Sequence, residues 1–171
     1  MTEAISMYYA SVPVFKQLLT ALNANLDKAE AYVASRNLAP ESLLQASLFS
    51  DMFNFTRQVQ IAADFAKGVT ARLAGLDVPA YEDSEMSFSE LKARIVKTLL
   101  FLSEINAEAI NGSEEKEIIL RPGTPKEKKM TGQAYLLHYG LPQFFFHVTT
   151  AYDILRNQGV EIGKRDFMGT Y

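Results

Sequence analysis

One amphipathic helix is predicted over the segment Gln143-Phe-Phe-Phe-His-Val-Thr-Thr-Ala-Tyr-Asp-Ile-Leu-Arg-Asn-Gln-Gly159. Its apolar residues recur at a 4-3-4 spacing that keeps them on one stripe, and they are Phe144, Val148, Ala151 and Leu155. Pro142 stands just before this helix, where its missing N–H costs nothing, and Gly159 stands where a left-handed residue can end it. The rest of the chain must therefore supply a surface that covers this stripe.

His147 lies beside the stripe and is the strongest candidate for a chemical site. The only other histidine is His138, about 2.5 turns away and on the opposite side of a continuous helix. A neutral imidazole at this place could bind a metal between helices, but a histidine bonded to a carbonyl at the core edge is the commoner case. Gln143 precedes His147 by one turn on the same face, although its neutral amide suits zinc poorly.

Three further amphipathic helices are predicted from the same kind of spacing. The first has a sustained apolar stripe from Tyr8 to Val33, and Pro13 either marks its true start or kinks it. The second begins near Ser50 or Asp51 and ends at Gly75, and the third opens with a capping box, whose residues are Ser87-Phe-Ser-Glu90.

After the third helix the apolar residues no longer recur at helical spacing, and the pattern predicts a small β-hairpin. Two short segments, 117–121 and 126–130, flank the turn Pro122-Gly-Thr-Pro125. A further helix is predicted over 131–139, with a break or kink at Gly140-Leu-Pro142. Four amphipathic helices, each with one apolar face, need a common core. The sequence therefore predicts one all-α domain over residues 1–171, a four-helix bundle with a hairpin decoration. Its long connections favour a crossover.

Composition excludes several classes of function. The 171 residues carry a net charge of −3 and include no cysteine, which excludes disulfides, thiolate metal sites and a cysteine nucleophile. No broad basic face is present, so nucleic acid is not an expected partner. No apolar run is long enough to span a membrane, and the expected location is the cytoplasm.

The second helix offers a further set of polar candidates. Arg57, Gln58 and Asp64 could project into a pocket, together with His138. An exposed polar helix face is the commoner explanation for such residues. The chain has no Gly-rich phosphate loop, serine elbow or Glu-x-x-His pattern, and Asp153 lies on the wrong face to orient His147.

Aromatic residues exceed what one stripe can bury. Phe144, Phe145 and Phe146 are consecutive, so at least one of them points away from its own bundle. That excess favours a second buried surface and hence a homodimer. Alternatively, the hairpin or the C-terminal tail covers it.

Five sequence blocks resemble a known family. They are Phe146-His-Val-Thr-Thr-Ala-Tyr-Asp-Ile-Leu-Arg-Asn-Gln-Gly159 with Gly163-Lys-Arg-Asp-Phe167, Asp51-Met-Phe53, Arg57-Gln-Val-Gln-Ile61, Asp64-Phe-Ala-Lys-Gly68 and Ser11-Val-Pro-Val-Phe15. Over nearly its whole length the chain resembles the family catalogued as domain of unknown function 1993. The resemblance implies the DinB/YfiT-like superfamily of four-helix bundles. Many of its members bind a divalent metal through three histidines, and some are thiol-dependent S-transferases.

The resemblance also implies which positions would hold that metal. His147 followed by Arg156 resembles the fourth-helix pattern, the companion ligand falls on Gln143, and the second-helix ligand falls near Gln58. Two histidines cannot make a three-histidine site, so a degenerate site is expected. No cofactor is expected, apart from a divalent metal that would be weakly held.

Three functions remain open at this stage. The favoured one is a homodimeric binding or structural bundle with a residual pocket near His147. A further possibility is the metal-free binding of a small-molecule ligand in the same cavity. The alternative is a divergent metal-dependent thiol S-transferase or hydrolase-like enzyme that uses His147, Gln143, Gln58 and Asp64.

Overall fold

The computed structural model describes residues 5–171, and helices dominate this part of the chain. The α-helices are α1 Val12–Ser35, α2 Glu41–Leu44, α3 Phe55–Ala74, α4 Phe88–Ser103, α5 Ala107–Ile110, α6 Gly132–Ala134, α7 Leu141–Asn157 and α8 Lys164–Met168. A π-helix, Tyr135–Gly140, joins α6 to α7, and two strands, β1 Glu117–Leu120 and β2 Lys128–Thr131, precede it. No helix among these is long and apolar enough to cross a membrane.

Two of the four long helices, α1 and α7, run parallel. Near their N-terminal ends the rings of Phe15 and Phe144 meet edge to face with centroids 4.8 Å apart. Near their C-terminal ends the Tyr32 hydroxyl donates to the Gln158 carbonyl over 3.0 Å. The predicted stripe of α7 is buried against this partner and against α3, its most extensive neighbour.

The other two long helices run the opposite way. In α4, Lys92 pairs with Asp27 of α1, while Asn111, beyond α4, accepts the backbone N–H of Tyr8 ahead of α1. In α3, Gln58 in the first turn contacts α7, and Val69 lies farther along, against the glycine that precedes α7. Because α3 and α4 are consecutive and parallel, residues 75–87 must return along the bundle, which confirms the predicted crossover.

The start of α1 decides between the two roles considered for Pro13. Pro13 lies in the first turn of α1, and the residues just before Val12 form a separate turn. The helix then continues to Ser35 without a break. Proline is well tolerated in a first turn because the N–H it lacks has no partner inside the helix.

The predicted start of α3 was wrong by one turn. Ser50 and Asp51 lie in a turn closed by a 3.0 Å hydrogen bond from the Met52 N–H to the Phe49 carbonyl. Asn54 caps the helix instead, since its side chain accepts the Arg57 N–H at 2.9 Å. The predicted end at Gly75 is confirmed, and this glycine has a φ of 74°.

The hairpin is present and lies on the bundle. Its strands pair antiparallel from Glu117 with Thr131 to Leu120 with Lys128, and β1 buries alternate residues. The helical segment after β2 is not broken at Gly140, as one alternative proposed, but passes through the π-helix into α7. A Cβ at Gly140 would lie 2.6 Å from Val69, so this close approach requires glycine.

Candidate functional site

A hydrogen-bond chain joins α3 to α7 at His147. The His147 Nδ1 lies 2.7 Å from Gln58 Oε1, and Gln58 Nε2 donates to the Phe53 carbonyl over 3.1 Å. Because the amide nitrogen faces that carbonyl, Oε1 is the acceptor and His147 Nδ1 carries the hydrogen. Gln58 therefore fixes the tautomer of the imidazole and leaves a lone pair on Nε2.

Aromatic rings enclose the imidazole on two sides. The Phe65 ring stacks on it with centroids 5.9 Å apart and an interplanar angle of 13°, and Phe146 meets it edge to face at 5.1 Å. Although His147 is only 7% exposed, Nε2 has no hydrogen-bond partner and is not among the buried unpartnered polar atoms of residues 5–171. The lone pair is therefore open to solvent.

His147 is neutral at physiological pH. Burial lowers its pKa from 6.5 to about 4, and the positive charge of Arg57 acts in the same direction. An imidazole with so low a pKa is a weak general base but a competent hydrogen-bond acceptor and metal ligand.

The predicted pocket residues Arg57 and Asp64 belong to an ionic cluster, and Arg57 also lies near enough to His147 to lower its pKa. Arg57 pairs with Asp83 and donates to Gln60 over 3.2 Å, while Asp64 Oδ1 lies 2.9 Å from both Lys67 and Arg94. Burial opposes ionisation of Asp83, yet hydrogen bonds and charge from Arg57 and Arg94 outweigh it and lower its pKa. These pairs fasten the crossover to α3.

Arg94 is the centre of this cluster, and sequence reasoning missed it. Its side chain is 2% exposed, lies 2.9 Å from Asp83 and 3.0 Å from Glu85, and donates to the Glu82 carbonyl. The signal was available, because an arginine one turn after Leu91 falls on the apolar face of α4 and needs acidic partners there. Asp83 and Glu85, two acids of the crossover, provide them.

The two remaining candidates lie apart from this chain of contacts. His138 is exposed on the π-helix, and its place in a pocket with Arg57 and Asp64 stays a prediction. The π-helix changes the angular relation between residue 138 and α7, which the sequence pattern alone could not show. Gln143 is half-buried one turn before His147.

The residues present do not fit the three-histidine metal site that the superfamily implies. Within residues 5–171, no group of three or more His, Cys, Asp and Glu side chains could hold a metal ion. Gln58 Oε1 already accepts the Nδ1 hydrogen of His147, so it is an orienting group and not a free ligand. One imidazole nitrogen and the amide of Gln143 are a weak donor set.

A polar cavity of about 530 Å³ opens beside the site, at the N-terminal end of α3. Its walls include Phe53, Arg57, Asp83 and Glu85, but neither Gln58 nor His147. Phe53 belongs to both places, because it lines the cavity and its carbonyl accepts a hydrogen bond from Gln58.

Comparisons with known proteins agree with this architecture. The family model described as domain of unknown function (DUF1993) matches residues 7–168. No curated protein matches the chain. A crystal structure of a DinB family member protein from Shewanella denitrificans is 38% identical, with a TM-score of 0.90 over 96% of this chain and 92% of that one. The resemblance inferred from the sequence blocks is thus confirmed, and the chain belongs to the DUF1993 family of domains of unknown function.

Proposed function

We propose that this chain is a homodimeric binding or structural bundle that has kept a DinB-like scaffold without its metal site. In this proposal His147 remains as a neutral imidazole that accepts a hydrogen bond from a small-molecule ligand. The protein is expected to act in the cytoplasm and to need no cofactor.

The contact between Gln58 and His147 carries the proposal. At the position where the superfamily would place a third histidine, this chain has an amide that binds the imidazole itself. A lone pair open to solvent and flanked by aromatic rings offers a ligand one hydrogen bond and apolar contact, as small-molecule sites commonly do.

Metal content is the direct test. Untagged protein, purified without chelator, is analysed by inductively coupled plasma mass spectrometry and then titrated with zinc, nickel and iron. We expect no stoichiometric metal and only weak uptake. About one tightly bound metal ion per chain would contradict the proposal. A structural metal site usually needs about four protein ligands, and the proposal takes such a set to be absent.

A divergent metal-dependent S-transferase or hydrolase-like enzyme is the second candidate, and one observation favours it. His147 donates Nδ1–H to Gln58 and presents Nε2, the arrangement that metal-ligating histidines usually adopt. In this alternative, His147→Ala abolishes metal binding and leaves the fold intact, whereas His138→Ala serves as a matched control. Metal uptake that persists in His147→Ala would eliminate the alternative.

A further inference from the structure

The polar cavity at the N-terminal end of α3 is a second candidate binding site. Its volume of about 530 Å³ is within the usual range of small-molecule sites. The walls come from the segment before α3, from the first turns of α3 and from the crossover, and they include Gln45, Ser47, Phe53, Arg57 and Asp83. Because His147 does not line this cavity, a ligand here does not require the hydrogen bond to His147 described in the proposed function.

The walls have unused hydrogen-bond donors. Arg57 donates to Gln60 and to Asp83 through Nη1 alone. Within residues 5–171 its Nε and Nη2 have no other partner, and neither is among the buried unpartnered atoms, so both reach solvent. The Ser47 hydroxyl is free in the same sense. Gln45 accepts one hydrogen bond at Oε1, which leaves its amide nitrogen able to donate.

An unused acceptor lies beside these donors. The side chain of Asp83 is 39% exposed, and it pairs with Arg57 through one oxygen and with Arg94 through the other, 2.9 Å away. A carboxylate has about four lone-pair sites, so two arginines leave it able to accept further hydrogen bonds. A hydroxyl group both donates and accepts, and a cavity with free groups of both kinds can therefore satisfy several hydroxyls at once.

The charges around the cavity cancel. Arg57, Asp83 and Glu85 are the charged residues in its walls, and Arg94, which lies outside the walls, pairs with both acids. Two cations thus face two anions. A cationic ligand would gain an acid only by competing with an arginine, and an anionic ligand would gain an arginine only by competing with an acid. The cavity therefore favours a neutral molecule.

An aromatic ring completes the walls. Phe53 is 56% exposed, and the guanidinium carbon of Arg57 lies 5.8 Å from the centroid of its ring. The face of an aromatic ring is slightly negative and attracts weakly positive C–H groups. The C–H face of a sugar ring can lie against such a surface while its hydroxyls reach the polar side chains nearby.

We propose that this cavity binds a neutral polyhydroxylated molecule such as a monosaccharide. Its hydroxyl oxygens accept hydrogen bonds from Arg57 and Ser47, one of its hydroxyls donates to Asp83, and its C–H face lies on Phe53. Such a ligand uses the free donors, the free acceptor and the ring together, and it leaves the ion pairs of the crossover in place.

The methyl glycosides of glucose, galactose and mannose test the proposal. Each is titrated into isotope-labelled protein while backbone amide signals are followed by NMR. We expect at least one of them to shift the amides of residues 45–57 and 83–85 at millimolar concentration. Its fully O-methylated derivative, which has no hydroxyl donor, should bind about fivefold or more weakly, the effect of losing about one hydrogen bond. The anionic uronic acid of the same sugar should also bind more weakly.

Phe53→Ala and Phe49→Ala are a matched pair of variants. Both side chains are more than half exposed in the segment before α3, but only Phe53 lines the cavity. Phe53→Ala should weaken glycoside binding about three- to tenfold and keep the backbone carbonyl that holds Gln58, whereas Phe49→Ala should leave affinity unchanged. Thermal melts check that both variants remain folded.

Three results would overturn the proposal. They are no shift of these amides by any of the three glycosides, equal affinity for a glycoside and its uronic acid, and equal effects of Phe53→Ala and Phe49→Ala.

Discussion

At the scale of single residues, the amide of Gln58 determines the chemistry of His147. It is 1% exposed and satisfied at both ends, by the Phe53 carbonyl and by the imidazole. A histidine in this position would bring a second lone pair that could bind a metal, whereas glutamine uses its oxygen to hold the neighbouring ring. The residue type at position 58 thus decides whether this side chain is a metal ligand or a group that orients His147.

Stability should fall in mildly acidic solution because His147 is buried in its neutral form. Its pKa is about 4 in the folded chain against 6.5 for the ordinary group, so the unfolded chain binds more protons between these values. The free energy of unfolding therefore decreases as pH falls through this window, by about 1.5–2 kcal/mol between pH 7 and pH 5. Urea denaturation at several pH values measures it.

His147→Gln removes the titrating group and should flatten the pH dependence over this window. The acids with lowered pKa, such as Asp83 and Asp166, lose their contribution mainly below pH 4.5 and can be separated from it. An unchanged slope between pH 7 and pH 5 in His147→Gln would show that the imidazole is not responsible.

At the scale of helices and loops, most differences between the predicted and the observed helices lie at their ends, where capping residues set the boundary. Apolar spacing predicted α1, α3, α4 and α7, and it did so because a buried stripe must repeat with the period of the helix. Ser87 was identified because Glu90 completes a capping box with it, and Gly75 because it follows the last residue of the apolar stripe. The start of α3 was wrong because Ser50, Asp51 and Asn54 are all good N-caps, and only the turn at 49–52 excludes the first two.

Asn54→Ala should cost about 1–2 kcal/mol of stability, whereas Asp51→Ala should cost almost nothing. The reason is that Asn54 accepts the Arg57 N–H at the start of α3, while Asp51 is exposed in the preceding turn. Urea unfolding of both variants at pH 7 measures the difference. Equal losses would mean that the helix begins where the sequence pattern placed it.

Arg94→Met should detach the crossover from the bundle. The variant leaves Asp64, Asp83 and Glu85 without their shared cation, and breaking such buried pairs costs about 3–5 kcal/mol. Because two of these acids are more than a third exposed, we expect a loss of about 2–3 kcal/mol. Amide hydrogen exchange in residues 76–86 should rise at the same time.

Lys92→Met is the matched control for this prediction. Lys92 also pairs with two acids, Asp27 and Glu30, but on the surface, where such pairs contribute less than about 1 kcal/mol. Faster hydrogen exchange across the crossover in Lys92→Met, or none in Arg94→Met, would contradict the assigned role of Arg94.

At the scale of the whole molecule, the four long helices, the hairpin and the crossover could be predicted from the sequence, because the spacing of apolar residues, the Gly and Pro residues and the lengths of the connections indicate them. The proximity of Gln58 to His147 depended on the family resemblance, since no spacing rule joins residues of different helices. The ionic cluster required the path of residues 75–87 in three dimensions. The orientation of His138 relative to α7 depends on the π-helix, which the spacing of apolar residues does not reveal.

Self-association should depend on the aromatic surface beside His147. Phe146 is 53% exposed, and Phe49 and Phe53 are exposed in the segment before α3. We expect the chain to be a dimer by light scattering at micromolar concentration and Phe146→Ser to be monomeric. Leu100→Ser, at a comparably exposed apolar residue of α4, should leave the dimer intact. A monomer of the unaltered chain would refute the homodimer.

The π-helix ahead of α7 also has a consequence for how this fold tolerates length changes. A π-turn accommodates one more residue than an α-turn, so the segment 135–140 holds one residue more than a regular α-helix would over the same turn. Deleting one residue from 135–140 would restore a regular α-helix and rotate the preceding hairpin by about 100° about the helix axis. The close fits of Gly132 to Ser113 and of Gly140 to Val69 would both be lost. The hairpin therefore keeps its orientation relative to the His147 face of α7 only while this extra residue is present.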